Sequence, residues 1–260
     1  MGITTNLFDL TGQVVLTTGS SKGMGRCMAM SLAEHGARVV VSSRKLDQCQ
    51  EVVEEINQAC GEERAIGLAC NIGYKEQLEE LVAKTREAFG PIDTLVSNAG
   101  VNPFYGSMSD IPDAAFDKTM NSNVRSNHWL CQMVAPDMLA KGKGSIMVTS
   151  STGAFAGSET LGAYNISKLA DIALVRNLAL EWGPSGVRVN AICPGLIKTD
   201  FAKALWDNPE AAERVTTATP LRRFGESEDF SGIVVYLASD ASTYMTGQAL
   251  TICGGSHMYR

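Results

Sequence analysis

The chain has 260 residues, 45% of them hydrophobic and 19% charged, a balance typical of globular rather than disordered proteins and of a length that fits one or two domains. No apolar run approaches the ~20 residues needed to cross a bilayer, so no membrane span is expected. Twenty-two basic against 28 acidic residues leave a net charge of -6, which argues against nucleic acid as the main partner.

The first ten residues, "MGITTNLFDL", have no basic region ahead of an apolar one, and Asn6 stands where a myristoylation signal needs Ser or Thr. Neither export nor lipid anchoring is expected, and the expected compartment is the cytosol. The seven cysteines are scattered without a C-x-x-C pair; they read as reduced, mostly buried thiols. The three histidines lack ligand-like spacing, so no metal is expected.

A first β-branched run, "QVVLTT" (13–18), leads directly into "TTGSSKGMG", with glycines at 19, 23 and 25. After a strand and before a helix, such a loop lets backbone approach a pyrophosphate whose charge rests on the helix N-terminus. A glycine turn before a helix also occurs for purely structural reasons. The second run, "RVVVSS" (38–43), is followed by Arg44 and Lys45. An acid here would favour a bare ribose hydroxyl, whereas a guanidinium binds a 2′-phosphate through two parallel hydrogen bonds. With Lys22 in the loop as a second cation, NADP(H) is the expected cofactor; two surface cations near a helix start are the other reading.

A helix pattern follows at Leu46 to Cys60, a strand at "RAIGLA" (64–69), and a helix at Tyr74 to Phe89 with Leu78, Leu81, Val82 and Phe89 on its apolar stripe. Strands are expected again at "IDTLVS" (92–97), "SIMVTS" (145–150), "VRVNAI" (187–192) and "QALTIC" (248–253), with long helices at 113–140 and 162–183. Near-continuous apolar strands alternating with helices predict a seven-stranded parallel sheet, doubly wound, with helices on both faces. No linker splits the chain, so 1–260 reads as one domain with an irregular insertion at about 194–225.

Ser151 ends the fifth strand, and Tyr164 and Lys168 lie in "YNISK". Positions four apart share a helix face, so the ammonium reaches the side of the phenol. An ordinary solvated lysine is the competing explanation of the motif taken alone.

In register, "TGSSKGMG", "SNAG" (97–100), "NV" (123–124), "TSS" before "YNISK", and "CPGLIKT" (193–199) resemble the short-chain dehydrogenase/reductase family, from about Leu10 to Gly255. The resemblance implies a Rossmann fold and a catalytic tetrad of Asn123, Ser151, Tyr164 and Lys168. A phenol ordinarily ionises near pH 10, and a neighbouring cation favours its charged form; that is the lysine's implied role, together with holding the nicotinamide ribose. Implied cofactor contacts are Gly19, Ser21, Lys22, Gly23, Met24 and Gly25 in the loop, and Ser43 and Arg44 after the second strand. Asn71 and Ile72 would border the adenine, Asn98, Ala99 and Gly100 would floor the pocket, and Pro194, Gly195, Ile197 and Thr199 would hold the carboxamide side.

The chain departs from the family at Asn71, where an aspartate is frequent, and at Ser97, which replaces the first asparagine of the "NNAG" form. Enoyl reductases of this superfamily space tyrosine and lysine more widely, so YNISK speaks against double-bond reduction. The resemblance is nearest to NADP-dependent carbonyl and retinol reductases, and implies a homotetramer or dimer built on the helices at 113–140 and 162–183. The expected activity is reduction of a ketone or aldehyde; oxidation of a secondary alcohol and non-catalytic dinucleotide binding are the alternatives. Phe104, Tyr105, Phe155, Leu205 and Trp206 would flank the cleft and favour an apolar or aromatic carbonyl compound, or else pack in the core. The insertion is expected to order over substrate as a lid.

Overall fold

The computed structural model describes residues 6–199 and 206–258. Seven strands form one parallel sheet: β1 (Val14–Thr18), β2 (Arg38–Ser43), β3 (Ala65–Ala69), β4 (Thr94–Ser97), β5 (Gly144–Thr149), β6 (Val187–Pro194) and β7 (Ala249–Ile252). Their order is β3-β2-β1-β4-β5-β6-β7, parallel at every pairing. The winding reverses between β1 and β4, and in open α/β sheets the crevice beyond the strand ends at such a switch point is where ligands bind.

Side-chain alternation along β1 assigns the two faces. Val14 and Leu16 enter one core with Leu78, Leu81 and Val82 of α3 (Lys75–Phe89), Leu130 and Val134 of α5 (Ser126–Lys141), and Ile172 and Val175 of α6 (Gly162–Trp182). Val15 enters the other, with Met28 and Leu32 of α1 (Gly23–Glu34), Val52 and Ile56 of α2 (Leu46–Cys60), and Val234 and Val235 of α8 (Ser231–Ala238). Each fully buried leucine of this kind contributes about 1.5–3 kcal/mol, so the sheet is held from both sides.

The expected helix at 113–140 is interrupted. α4 (Asp113–Met120) passes through a π-helical turn, Asn121–Arg125, before α5 begins. The cause is local: Ser126 Oγ donates to the Ser122 carbonyl at 2.6 Å, and Asn127 Nδ2 donates to the Asn123 carbonyl at 2.6 Å. Side-chain donors that take the i-4 carbonyls compete with the backbone ladder and widen the turn, and such turns are frequent at functional sites.

In the insertion, α7 (Pro209–Ala218) starts on Asn208, whose Oδ1 accepts from the Ala211 amide at 3.1 Å. The base of the insertion is tied down where Ile197 bridges Gly225, with the Lys198 amide donating to the Gly225 carbonyl at 2.8 Å. Residues 200–205, including the sequence-predicted Leu205, lie outside the described residues. Among the described residues no helix is long and apolar enough to cross a membrane.

Candidate active site

At the switch point a cleft of about 1520 Å³ opens along the carboxyl ends of the strands. Its floor is a junction between β1 and β4. Thr18 Oγ1 accepts from the Asn98 and Ala99 amides at 3.1 and 3.2 Å, and Asn98 Nδ2 donates to the Gly19 carbonyl at 3.0 Å. Glycine is required here by space as well as by torsion. Gly19 and Gly23 have φ of 63° and 52°, and a Cβ on Gly25 would stand 2.2 Å from the Gly19 carbonyl oxygen.

α1 begins on Lys22 with no side-chain cap and no acidic residue in its first turn. Its first amides are thus left for an anion. A dinucleotide pyrophosphate fits this cradle, and every sequence-predicted cofactor residue, from Gly19 to Thr199, borders the cleft. Arg44 and Lys45 stand exposed at the end of β2 and border the same cleft, and Arg44 has no ion-pair partner among the described residues. On the adjoining wall, Asn71 Oδ1 accepts from the Gly73 amide at 3.2 Å.

Tyr164, Ser151 and Lys168 border the same cleft, with Lys168 Nζ 5.7 Å from the Tyr164 ring centroid. Ser151, two residues beyond β5, accepts from the Gly153 amide through Oγ at 3.1 Å. Lys168 is pinned by β5: its Nζ donates to the Thr149 carbonyl at 2.8 Å, while Ser150 Oγ donates to the Lys168 carbonyl at 2.7 Å. A Cβ on Gly100 would lie 3.5 Å from Lys168 Nζ, so bare backbone faces the ammonium.

Asn123 does not border the cleft; it is fully buried behind it. Its Oδ1 accepts from the Val101 amide at 2.8 Å and its Nδ2 donates to the Val101 carbonyl at 2.9 Å and to Ser167 Oγ at 3.0 Å. It therefore fixes the segment after β4 rather than reaching a ligand with its side chain.

Lys168 also donates to Asp171 Oδ2 at 3.1 Å, in a pair whose side chains are 4% and 0% exposed. Burial disfavours the ammonium, but the Asp171 carboxylate, together with Tyr164 and Cys193, offsets it and raises the lysine above its ordinary value. Burial also pushes the Asp171 carboxyl up against the pull of Lys168 and the Asn127 hydrogen bond. Two N–H donors converge on that carboxylate, which holds the pair ionised. Neither Asp171 nor Asn127 stands out in the sequence, although each carries a helical-spacing signal: Asp171 three residues after Lys168, Asn127 four after Asn123.

Of the aromatic residues expected to flank the cleft, only Tyr105 borders it among the described residues. Beside it lie Val101, Asn102, Ser158, Leu161, Asn165, Leu196 and His257 as further lining residues of the cleft, and the Asn165 Oδ1 is buried without a hydrogen-bond partner among the described residues. Phe155 instead stacks on His257, ring centroids 4.8 Å apart. Trp206 donates from Nε1 to the Thr199 carbonyl at 2.9 Å with Lys198 Nζ 5.6 Å from its ring centroid, and the Phe104 ring packs over Gly106. His257 was not singled out in the sequence, where a lone histidine near the C-terminus carries no pattern.

Comparisons with known proteins converge on this geometry. A family described as Enoyl-(Acyl carrier protein) reductase matches residues 19–257. The chain is 41% identical over 248 residues to Dehydrogenase/reductase SDR family member 4 of Homo sapiens, covering 95% of this chain and 88% of that protein. A 7 alpha-hydroxysteroid dehydrogenase complexed with NADH and 7-oxo glycochenodeoxycholic acid superposes with a TM-score of 0.93 at 35% identity, over 98% of each chain. A gluconate 5-dehydrogenase from Burkholderia cenocepacia J2315, in complex with NADP and tartrate, gives 0.91 at 27% identity, over 96% of this chain and 97% of that one.

Proposed function

The chain belongs to the short-chain dehydrogenase/reductase family, and from that premise we propose that it is an NADPH-dependent oxidoreductase that reduces a ketone or aldehyde to an alcohol. The observation that carries the reading is that Tyr164, Lys168 and Ser151 border the same cleft as the glycine loop, with Lys168 Nζ 5.7 Å from the Tyr164 ring centroid. Tyr164 Oη gives its proton to the carbonyl oxygen, and Ser151 Oγ donates a hydrogen bond to the same atom. The Lys168 ammonium favours the phenolate that remains. Asn123 keeps the Val101 backbone in place behind them. A reduced nicotinamide, when bound, supplies the hydride to the carbonyl carbon.

Arg44 and Lys22 support the phosphorylated cofactor, because both border the cleft, Arg44 directly after β2, and a guanidinium matches a phosphate in charge and geometry. The relatives include both an NADH and an NADP complex, so this preference rests on the charges of this chain. The four-residue spacing of Tyr164 and Lys168 favours carbonyl over double-bond reduction. Run in reverse, the same groups oxidise a secondary alcohol, with Tyr164 as base. Assembly into a homotetramer, or at least a dimer, is supported by apolar side chains on the outer face of α6. Ile172 and Leu178 turn into the core, while Ile166, Leu169 and Leu180 are 45%, 51% and 80% exposed.

A panel of diketones, aromatic ketones, retinal and acyl thioesters, screened by NADPH oxidation, tests the reading. Carbonyl-dependent oxidation of NADPH with at least one class is the expected result.

A further inference from the structure

We propose that Asp171 is a positioning residue for Lys168, itself held by Asn127 and Ser97, so that the ammonium stays charged and aimed at the cleft; this rests on the oxidoreductase reading above. The array crosses three elements. From β4, Ser97 Oγ donates to Asn127 Oδ1 at 2.6 Å; from α5, Asn127 Nδ2 donates to Asp171 Oδ1 at 2.8 Å; on α6, Asp171 Oδ2 accepts from Lys168 Nζ at 3.1 Å. Ser97 and Asn127 are 3% and 1% exposed, so no step of the array is solvated.

Its polarity is fixed at each link. Since Ser97 donates to Asn127 Oδ1, the Asn127 amide must present its N–H group to Asp171, and a flipped amide would set an oxygen against the carboxylate. Both oxygens of Asp171 accept, which only a carboxylate at this position can do. The serine that departs from the family's usual asparagine is thus the residue that starts the chain of donors.

A buried ion pair is a poor way to gain stability, because desolvation offsets the attraction. This one lies where its charge has a use: Lys168 Nζ is 5.7 Å from the Tyr164 ring centroid. An ammonium has three donors. Two go to the Thr149 carbonyl and Asp171, which leaves a third that would serve a ribose hydroxyl of a bound dinucleotide.

The other titratable groups acting on the pair are Tyr164 from α6, Cys193 from β6 and Cys131 from α5. Burial pushes the two thiols up to about 11 and about 12, so both are neutral at ordinary pH. With the thiols neutral, Asp171 is the carboxylate that pairs with Lys168 directly, its Oδ2 3.1 Å from Nζ.

Asp171→Asn keeps the shape, removes the charge and forces an amide N–H against either Lys168 or Asn127. The test is the pH profile of kcat/KM in both directions, together with the pH dependence of NADPH binding to the cofactor-free enzyme read by fluorescence. In the variant the alkaline loss of both readouts moves down by about 1 unit or more, since the uncompensated ammonium deprotonates earlier. A folded Asp171→Asn enzyme with the wild-type alkaline limb in both readouts overturns the inference and leaves a structural ion pair. If Asp171→Asn does not fold, Ser97→Ala carries the test: a smaller shift in the same direction supports the array, and an unshifted profile overturns it. A wild type that binds no dinucleotide and reduces no carbonyl compound overturns the oxidoreductase reading, and this inference with it.

Discussion

The Lys168 ammonium stands 5.7 Å from the centroid of the Tyr164 ring, one turn along α6. It is held there by the Thr149 carbonyl, so its position is a property of the sheet and not of a mobile side chain. Lys168→Ala is expected to lower kcat/KM by ~10²–10⁴-fold and to weaken NADPH binding as well, because one group serves the phenol and the ribose. Steady-state kinetics and a fluorescence titration of NADPH separate the two effects.

The glycine loop yields a steric prediction. A Cβ on Gly25 would stand 2.2 Å from the Gly19 carbonyl oxygen and 2.6 Å from Asn98 Nδ2, so Gly25→Ala must part the loop from α1. Overpacking of this kind costs about 1–3 kcal/mol, and dinucleotide affinity falls with it. Gly232, in α8, has nothing within 4 Å of a built Cβ, and Gly232→Ala is expected to stabilise by about 0.5 kcal/mol. Thermal melts of the two variants with and without NADPH check both signs.

Much of this was legible in the sequence. Apolar runs such as "QVVLTT" and "RVVVSS" announced β1 and β2 because strands buried on both faces carry no polar alternation, and the glycines at 19, 23 and 25 announced the loop. The π-helical turn was not legible, since it depends on which carbonyls the Ser126 and Asn127 side chains select. Nor was the Asp171 array, whose partners Ser97 and Asn127 are distant in sequence and meet only after the sheet has formed. The aromatic lining was legible only in part: Tyr105 borders the cleft, whereas the Phe155 and Trp206 rings contact His257 and Lys198 and are not among its lining residues.

Acid stability has a local contributor at the base of the insertion. Arg223 binds Asp229 through both nitrogens at 2.6 and 2.8 Å, and these hydrogen bonds, with one from the Glu226 amide, hold the carboxyl down to about 2 from its ordinary 3.8. A depressed carboxyl stabilises fully above its unfolded value and loses that contribution as pH falls through about 2. The pair is largely exposed, so Asp229→Asn costs no more than about 1 kcal/mol near neutrality. The gap between variant and wild-type melts should narrow as pH falls from 3.8 towards 2.

Assembly is tested by mass. Light scattering at micromolar concentration is expected to give a tetramer or a dimer, and Ile166→Asp with Leu180→Asp, two exposed positions on α6, should move it towards monomer. A strictly monomeric wild type would remove the assembly from the account.

On the proposed reading, cofactor choice turns on the charge after β2. Arg44→Asp replaces attraction by repulsion towards a 2′-phosphate and offers a carboxylate to a bare ribose hydroxyl. A lost bidentate charged contact is worth on the order of 2–3 kcal/mol, roughly 30–150-fold in NADPH affinity, with Lys22 softening the change. The ratio of kcat/KM for NADPH and NADH, in wild type and variant, reads it; an unaltered ratio would make Arg44 a surface charge.

The central claim is that Tyr164 delivers the proton in an NADPH-dependent carbonyl reduction. The most direct measurement compares carbonyl-dependent NADPH oxidation by wild type and Tyr164→Phe, with NADPH affinity determined for both. The account predicts that the wild type consumes NADPH in step with the alcohol formed, while Tyr164→Phe binds NADPH equally well and turns over at least ~10²-fold more slowly. A phenylalanine variant that reduces the carbonyl compound at the wild-type rate would contradict it.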